Sequence, residues 1–542
     1  RWAPIIRGMS GNRVKILNNG MVVRDVSVIG ADHINDVDLN DIKQIEVVRG
    51  PSSLLYSNGT IGGIVNIVDN TIPKADIKDL NLKLGFENQS VNDGDSHNFS
   101  FANNLGGINL TLAYKDSQFG NFDVPRGAII HSDEHEDEHE DEHEEDMGFL
   151  ANSDSESEST RIGLSKVSDW GYIGASYSNV ESLYGIPFHG EGHEEHEEEH
   201  EEGHDEEGHD EEEHEGERIF SSTESDVFNI EGSFAVDTKF IKTADFYFRD
   251  TDYSLTEQHA EEAHEDEHED EHEDEHERHS EGPTLFKNDA KEYGLTLDLG
   301  SRVFSQKVAI KSSDEKMSII GSEAFMNPSD SDEFSVGYYL SAPTELFHLD
   351  FGIRHDRVSR NGSVTHREEE HHDEDEHEDE HEDEHEDEHE EAEIDYFDRD
   401  INSTSYAFSV SNELNDFVSV NLGLSYLERA PSSVELFMNG PHLATGRYEV
   451  GNTSLESEEA NNIDLTLSYE NNGFFGSLAF FRNNIDNYIY LLDETEEEHE
   501  EHEEHEEHHE DLILSNYLQK DAEMDGYELE FGRNFGFYQG EL

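Results

Sequence analysis

The sequence predicts an all-β membrane protein whose main body is an antiparallel transmembrane β-barrel. Three observations predict it. Beyond residue 80 the chain is dominated by short segments that alternate apolar and polar residues. The connections between these segments alternate too, short then long. Every heavily charged insert falls in a long connection.

Strand periodicity comes first. In 463–469, Ile463, Leu465, Leu467 and Tyr469 share one face, and Asp464, Thr466 and Ser468 share the other. That is period two, the pattern of a strand with one apolar and one polar face. Similar segments recur to residue 533, for about 16 strands in all. No apolar run approaches the roughly 18 residues of a membrane helix, but barrel strands alternate and escape that test.

Connections come second. Leu105-Gly106-Gly107, Ser168-Asp169-Trp170-Gly171, Val236-Asp237-Thr238 and Asn471-Asn472-Gly473 are short and rich in turn-forming residues. In an up-and-down barrel every second connection lies on the same side. Counted this way, the charged inserts are the second, third, fourth, sixth and eighth loops of one side; the fifth is 315–333 and the seventh 429–459. Short turns on one side and long loops on the other mark an outer-membrane barrel. A soluble sandwich or propeller would share the alternation but not this parity.

The five inserts, at 131–146, 189–217, 257–281, 366–393 and 494–511, explain the composition. They hold 73 of the 132 acidic residues and 29 of the 34 histidines in a chain of net charge −97. Such a chain offers no basic footprint for nucleic acid. The absence of cysteine excludes disulfides and thiolate metal sites. Arg1-Trp2-Ala3-Pro4 has no signal-peptide character and reads as the middle of a domain.

Residues 1–73 read differently from 74–542. They contain Ile45-Glu46-Val47-Val48-Arg49-Gly50-Pro51-Ser52-Ser53-Leu54-Leu55-Tyr56, then Gly62-Gly63-Ile64-Val65-Asn66-Ile67. Gly50 and the Gly62-Gly63 pair suit tight turns, and Pro51 suits a first helical position. This run, with Arg49, Gly50, Pro51, Tyr56, Gly62, Gly63 and Asn66 at its fixed points, resembles the plug signature of TonB-dependent outer-membrane receptors. The resemblance implies a small α/β plug inside the lumen of the barrel. It extends to the zinc-uptake (ZnuD-like) branch through Gly11–Leu17 with Ala31-Asp32-His33, through Gly321-Ser322-Glu323-Ala324, and through Arg429–Phe437 with Gly440–Thr445 and Tyr448–Asn452.

Such receptors have a signal peptide and a TonB-contacting segment ahead of the plug, and a barrel of about 22 strands with a plugged lumen. The expectation is therefore a fragment lacking both ends. The resemblance further implies the outer membrane of a Gram-negative bacterium, contact with its lipid, and a TonB–ExbB–ExbD energy-coupling complex as partner.

Five histidines lie outside the inserts: His33, His97, His348, His355 and His442. A plug apex and the outer loops face one vestibule, so His33 and His442 could meet there, with Asp32 and Glu323 as carboxylates. Four N or O ligands suit zinc in a chain without cysteine, and the resemblance implies the same set of Asp32, His33, Glu323 and His442. Each residue taken alone reads equally as a solvated loop residue. His348 and His355 read as wall residues, and His97 as flanking the first loop.

The inserts offer weaker ligands. His135, His139 and His143 are four apart, as are His264, His268, His272 and His276, and His377, His381, His385 and His389. That spacing shares a helix face, but the intervening carboxylates repel one another and predict disorder. Such loops concentrate cations by their field; the alternative is neutral low-complexity expansion or a solubilising or antigenic surface, and five inserts on one side, all rich in histidine as well as acid, favour metal capture. Imidazole with carboxylate points to zinc, copper or nickel rather than calcium.

The functional expectation is import of a divalent transition metal, zinc first and Cu2+ or Ni2+ next, collected by the loops and passed to the plug apex. The alternatives are uptake of a chelated ligand such as haem, a siderophore or cobalamin, and a metal-binding surface protein that transports nothing. No nucleophile–base pair or phosphate loop suggests an enzyme, and no organic cofactor is called for.

Overall fold

The computed structural model describes residues 4–541 except 31–32, 36, 127, 129–147, 188–217, 237, 261–281, 301–302, 322–323, 367–392, 495–511 and 538–539. The N-terminal part holds a four-stranded sheet of β1 (Val14–Asn18), β2 (Met21–Val22), β3 (Gln44–Val48) and β4 (Gly63–Val68), in the order β2-β1-β4-β3. β1 and β4 run parallel; the outer pairs are antiparallel. Pro51 opens a 3-10 helix, Pro51–Leu55, and Tyr56 caps it. Gly50 is left-handed at φ 77°, as the turn into this helix requires. Gly62 admits no side chain, because a Cβ there would lie 2.7 Å from the Met9 Cβ. Asn66 accepts from the Gly20 backbone and donates to Glu46, tying β4 to both neighbours.

The wall follows. Its first three strands are β5 (Asn81–Gln89), β6 (Gly94–Asn104) and β7 (Asn109–Phe119). Next come β8 (Ser155–Ser168), β9 (Gly171–Gly185), β10 (Arg218–Ala235), β11 (Thr243–Ala260) and β12 (Thr284–Asp298). β13 (Ser305–Ile320), β14 (Ser329–Pro343), β15 (His348–His366), β16 (Glu393–Asn415) and β17 (Val418–Arg429) continue it. A short helix α1 (Ser433–Phe437) and the hairpin β18 (Asn439–His442) and β19 (Arg447–Val450) then interrupt the wall. β20 (Glu458–Asn471), β21 (Phe474–Asp493) and β22 (Ile513–Arg533) complete it. That makes sixteen long wall strands among the described residues, in barrel order. Antiparallel ladders join the successive wall strands from β5 to β22, and in the barrel order β22 stands next to β5.

The alternation is inverted relative to a soluble protein. On β8, Ser159, Arg161 and Ser165 point inward and are buried, while Ile162 and Leu164 are exposed. On β20, Ile463, Leu465, Leu467 and Tyr469 are exposed likewise. An apolar outside and a polar, filled inside is the outer-membrane arrangement. The expected barrel with an internal plug is thus what the chain forms.

The parity of connections also holds. β6–β7, β8–β9, β10–β11, β12–β13, β14–β15, β16–β17 and β20–β21 are joined by short turns at one end. The inserts leave from the other end. They are shorter than the sequence suggested where a strand runs on further: β11 runs to Ala260, and β15 and β16 take in His366 and Glu393. The fifth loop shrinks to 321–328 for the same reason.

Two kinds of contact seat the plug. Plug cations reach wall carboxylates: Arg7 pairs with Asp464 and with Glu528 at 3.1 Å, Arg24 with Glu315 at 2.7 Å, and Arg13 with Glu458. Wall cations reach plug carbonyls: Lys311 donates to Tyr56 O at 2.7 Å, Arg354 to Leu54 O at 3.3 Å, and Arg249 to Val22 O at 3.3 Å. At three points where the plug backbone comes closest, the wall carries glycine. A Cβ on Gly337 would lie 2.9 Å from Leu54 O, and one on Gly352 or Gly163 would overlap Pro51 O or Thr71 O.

Candidate metal centre

The candidate centre lies where the plug meets the fifth and seventh loops of the end opposite the short turns. Ser432 caps α1: its hydroxyl accepts from the Glu435 backbone, and the Glu435 carboxylate accepts from the Ser432 backbone. α1 leads directly into β18, whose last residue is His442. The fifth loop docks on this hairpin. Met326 bridges to Met438, and the Asn439 amide donates to Phe325 O at 2.7 Å. Gly440 permits the approach, because a Cβ there would lie 2.8 Å from the Phe325 Cα.

His33 descends from the plug to the same point. Its ring centroid is 6.0 Å from that of His442, with the planes 23° apart. Phe286 of β12 lies edge-on to His33 at 4.9 Å, and Phe325 stacks on His442 at 4.6 Å. Both histidines are buried, at 4 % and 1 % exposure. The His442 Nδ1 lies 3.0 Å from the Glu449 carboxylate of β19. Two imidazoles from distant parts of the chain thus share a buried box with phenyl walls.

Of the four proposed ligands, His33 and His442 come together. Asp32 and Glu323 lie outside the described residues, although their neighbours His33 and Phe325 both touch the His442 ring. His135, His139, His143, His264, His268, His272, His276, His377, His381, His385 and His389 also lie outside them. His348 approaches Ser341 and Asp350 near the short-turn end, His355 bonds Thr404, and His97 packs on Phe86, all on wall strands away from the centre.

An ionic chain links this region to the plug. Arg13, at the start of β1, donates through Nε to Glu458 at 3.1 Å. Glu458 also receives Arg429 Nε at 2.6 Å, and Arg429 grips Glu435 of α1 with both Nη atoms at 2.9 Å. All four side chains are at least nine-tenths buried. Sequence reasoning missed Glu449, Phe286 and this chain. Arg429, Glu435 and Glu449 do lie within stretches that carried the family resemblance, but nothing in their spacing announces a partner.

Comparison with known proteins follows this geometry. A model described as "TonB dependent receptor-like, beta-barrel" matches residues 48–540, and one described as "TonB-dependent Receptor Plug Domain" matches residues 2–64. The vitamin B12 transporter BtuB of Vibrio vulnificus (strain CMCP6) is 31% identical over 123 residues, which is 22% of this chain and 19% of that protein. Two solved structures share the fold. The Serratia marcescens hemophore receptor HasR, solved with its hemophore HasA and heme, has a TM-score of 0.67 at 12% identity, covering 99% of this chain and 74% of that one. The copper transporter OprC has a TM-score of 0.67 at 14% identity, covering 97% and 70%. With matched plug and barrel, inverted wall alternation and a lumen filled by the N-terminal sheet, the chain belongs to the TonB-dependent receptors, a fold that implies a Gram-negative outer membrane.

Proposed function

We propose that this receptor imports a divalent transition metal ion, zinc before copper or nickel, through a site formed by His33 and His442 with Asp32 and Glu323. One observation carries the reading: two buried imidazoles, one from the plug and one from an outer loop, converge between Phe286 and Phe325. Nitrogen donors in a site sheltered from water suit a borderline cation. The same enclosure argues against a chelate. An organic ligand needs a pocket of hundreds of cubic ångströms, and here phenyl rings already cover the imidazoles. Because a ligand from the plug and a ligand from a loop hold one ion, movement of the plug breaks the site and releases the ion inward. TonB–ExbB–ExbD is the proposed source of that movement. The acidic, histidine-rich inserts act as an antechamber that raises the local cation concentration.

The test uses the full-length receptor in detergent, titrated with zinc against a competing chelator. His33→Ala and His442→Ala should each weaken the tight site by at least about 100-fold, beyond the range seen for removing a mere supporting residue. Unchanged affinity in both variants would overturn the assignment. Competition among zinc, copper and nickel in the same assay ranks the cargo, since raw affinity alone favours Cu(II).

A further inference from the structure

Glu449 belongs to neither the plug signature nor the four proposed ligands, yet its carboxylate lies 3.0 Å from the His442 ring. The register of the hairpin explains why. β18 and β19 pair Gly440 with Glu449 and His442 with Arg447. His442 and Glu449 are therefore diagonal neighbours on one face, a separation a long side chain can bridge. Arg447, the residue directly opposite His442, is drawn away into a two-pronged pair with Asp493 at 2.9 Å. That leaves the diagonal carboxylate to meet the ring, at 3.0 Å from Nδ1.

The carboxylate is held there from several sides. Thr445 donates its hydroxyl to the same Oε1 at 3.3 Å, and the Tyr517 phenol of β22 interacts with it as well. The backbone of β19 is itself fixed by parallel pairing with β22, Glu449 opposite Ser515. The side chains of His442 and Glu449 are 2% and 4% exposed. A buried carboxylate is costly unless a charge or hydrogen bonds compensate it. Compensation through an imidazole is strongest when that imidazole carries a cation.

We propose that Glu449 is a positioning residue of the metal centre: it accepts the Nδ1–H of His442, fixes that tautomer, and so presents Nε2 to the incoming ion. An imidazole whose second nitrogen donates to a carboxylate is a stronger and better oriented ligand. The carboxylate also supplies negative charge through the ring without joining the coordination sphere. This inference rests on the metal reading above.

The test again uses the full-length receptor, with zinc as the probe and a chelator that strips weaker sites. Glu449→Ala should weaken tight zinc binding about 10- to 100-fold, the usual range for such supporting carboxylates. Glu449→Gln keeps an oxygen that can accept the Nδ1–H, and should recover most of that loss. Cobalt placed in the tight site gives a spectroscopic check: its ligand-field bands should shift in Glu449→Ala and return toward wild type in Glu449→Gln. Glu449→Ala within twofold of wild type, with unchanged cobalt bands, would overturn the positioning role while leaving the centre standing. Full affinity in both His33→Ala and His442→Ala would instead remove the metal reading and this inference with it.

Discussion

Glu458 is the point where the plug and the outer vestibule depend on one side chain. Its carboxylate is fully buried and receives Arg13 of the plug, Arg429 of the wall and the Ile489 amide at 2.7 Å. Glu458→Gln removes the charge but not the volume. Arg429 keeps its second carboxylate, Glu435, so the stranded cation is Arg13. Breaking a buried pair from one side costs about 3–5 kcal/mol, because a charge is left uncompensated. Arg13 is on the plug and Glu458 on the wall, so that cost falls on the seating of the plug. At 1.4 kcal/mol per decade it raises the equilibrium for plug opening by about two to four powers of ten. Amide hydrogen exchange of β1 and β4 in the detergent-solubilised receptor reads this equilibrium, while wall amides serve as the internal reference. The double variant Arg13→Met, Glu458→Leu should regain most of the loss, since an apolar replacement of a buried pair is often neutral. Exchange within threefold of wild type in Glu458→Gln would refute the reasoning, as would a double variant no better than the single one.

Three further outcomes are expected. Burial holds the ammonium of Lys15, on β1, down to about 8, against the pull of Glu333. The seated plug therefore binds fewer protons than the released one between about pH 8 and the ordinary lysine value of about 10.4, and seating should strengthen as pH rises through that window; Lys15→Met should abolish this dependence in the same exchange assay. Gly440→Val forces the fifth loop off the hairpin, and overpacking of this kind costs about 1–3 kcal/mol, so zinc titration should show affinity reduced up to about 100-fold. Capture of zinc, followed by stopped flow, should slow as salt rises from 10 to 150 mM, because the Debye length shrinks from about 30 to about 8 Å; deletion of the five inserts should remove most of that sensitivity and leave the tight site intact.

The barrel was legible because its signals are local and repeated. Alternation at Ile463–Tyr469 marks the apolar outer face of the wall, and the five inserts all fall at the end opposite the short turns. The plug was legible through a long run of residues with fixed spacing, and Gly50, Pro51 and Gly62 have the conformational or steric roles their types suggest. The centre was legible only in part. His33 and His442 stood out as histidines outside the repeats. Phe286, Phe325 and Glu449 did not, because an aromatic or an acid on a strand is common and only the tertiary register shows what it faces. The Arg13–Glu458–Arg429–Glu435 chain joins residues 445 apart, and no pattern in one sequence reports a contact of that range.

The glycines at 163, 337 and 352 have a consequence beyond fit. At each of them a plug carbonyl lies against bare wall backbone. A side chain at such a place could swing aside and let water thread past. A backbone cannot, so at these points the fit between plug and wall is fixed. A methyl group added at any of them would lift the plug locally and open a leak for small solutes, even with the metal centre untouched. The seating of the plug in the wall is thus written into positions that take no part in the candidate metal centre.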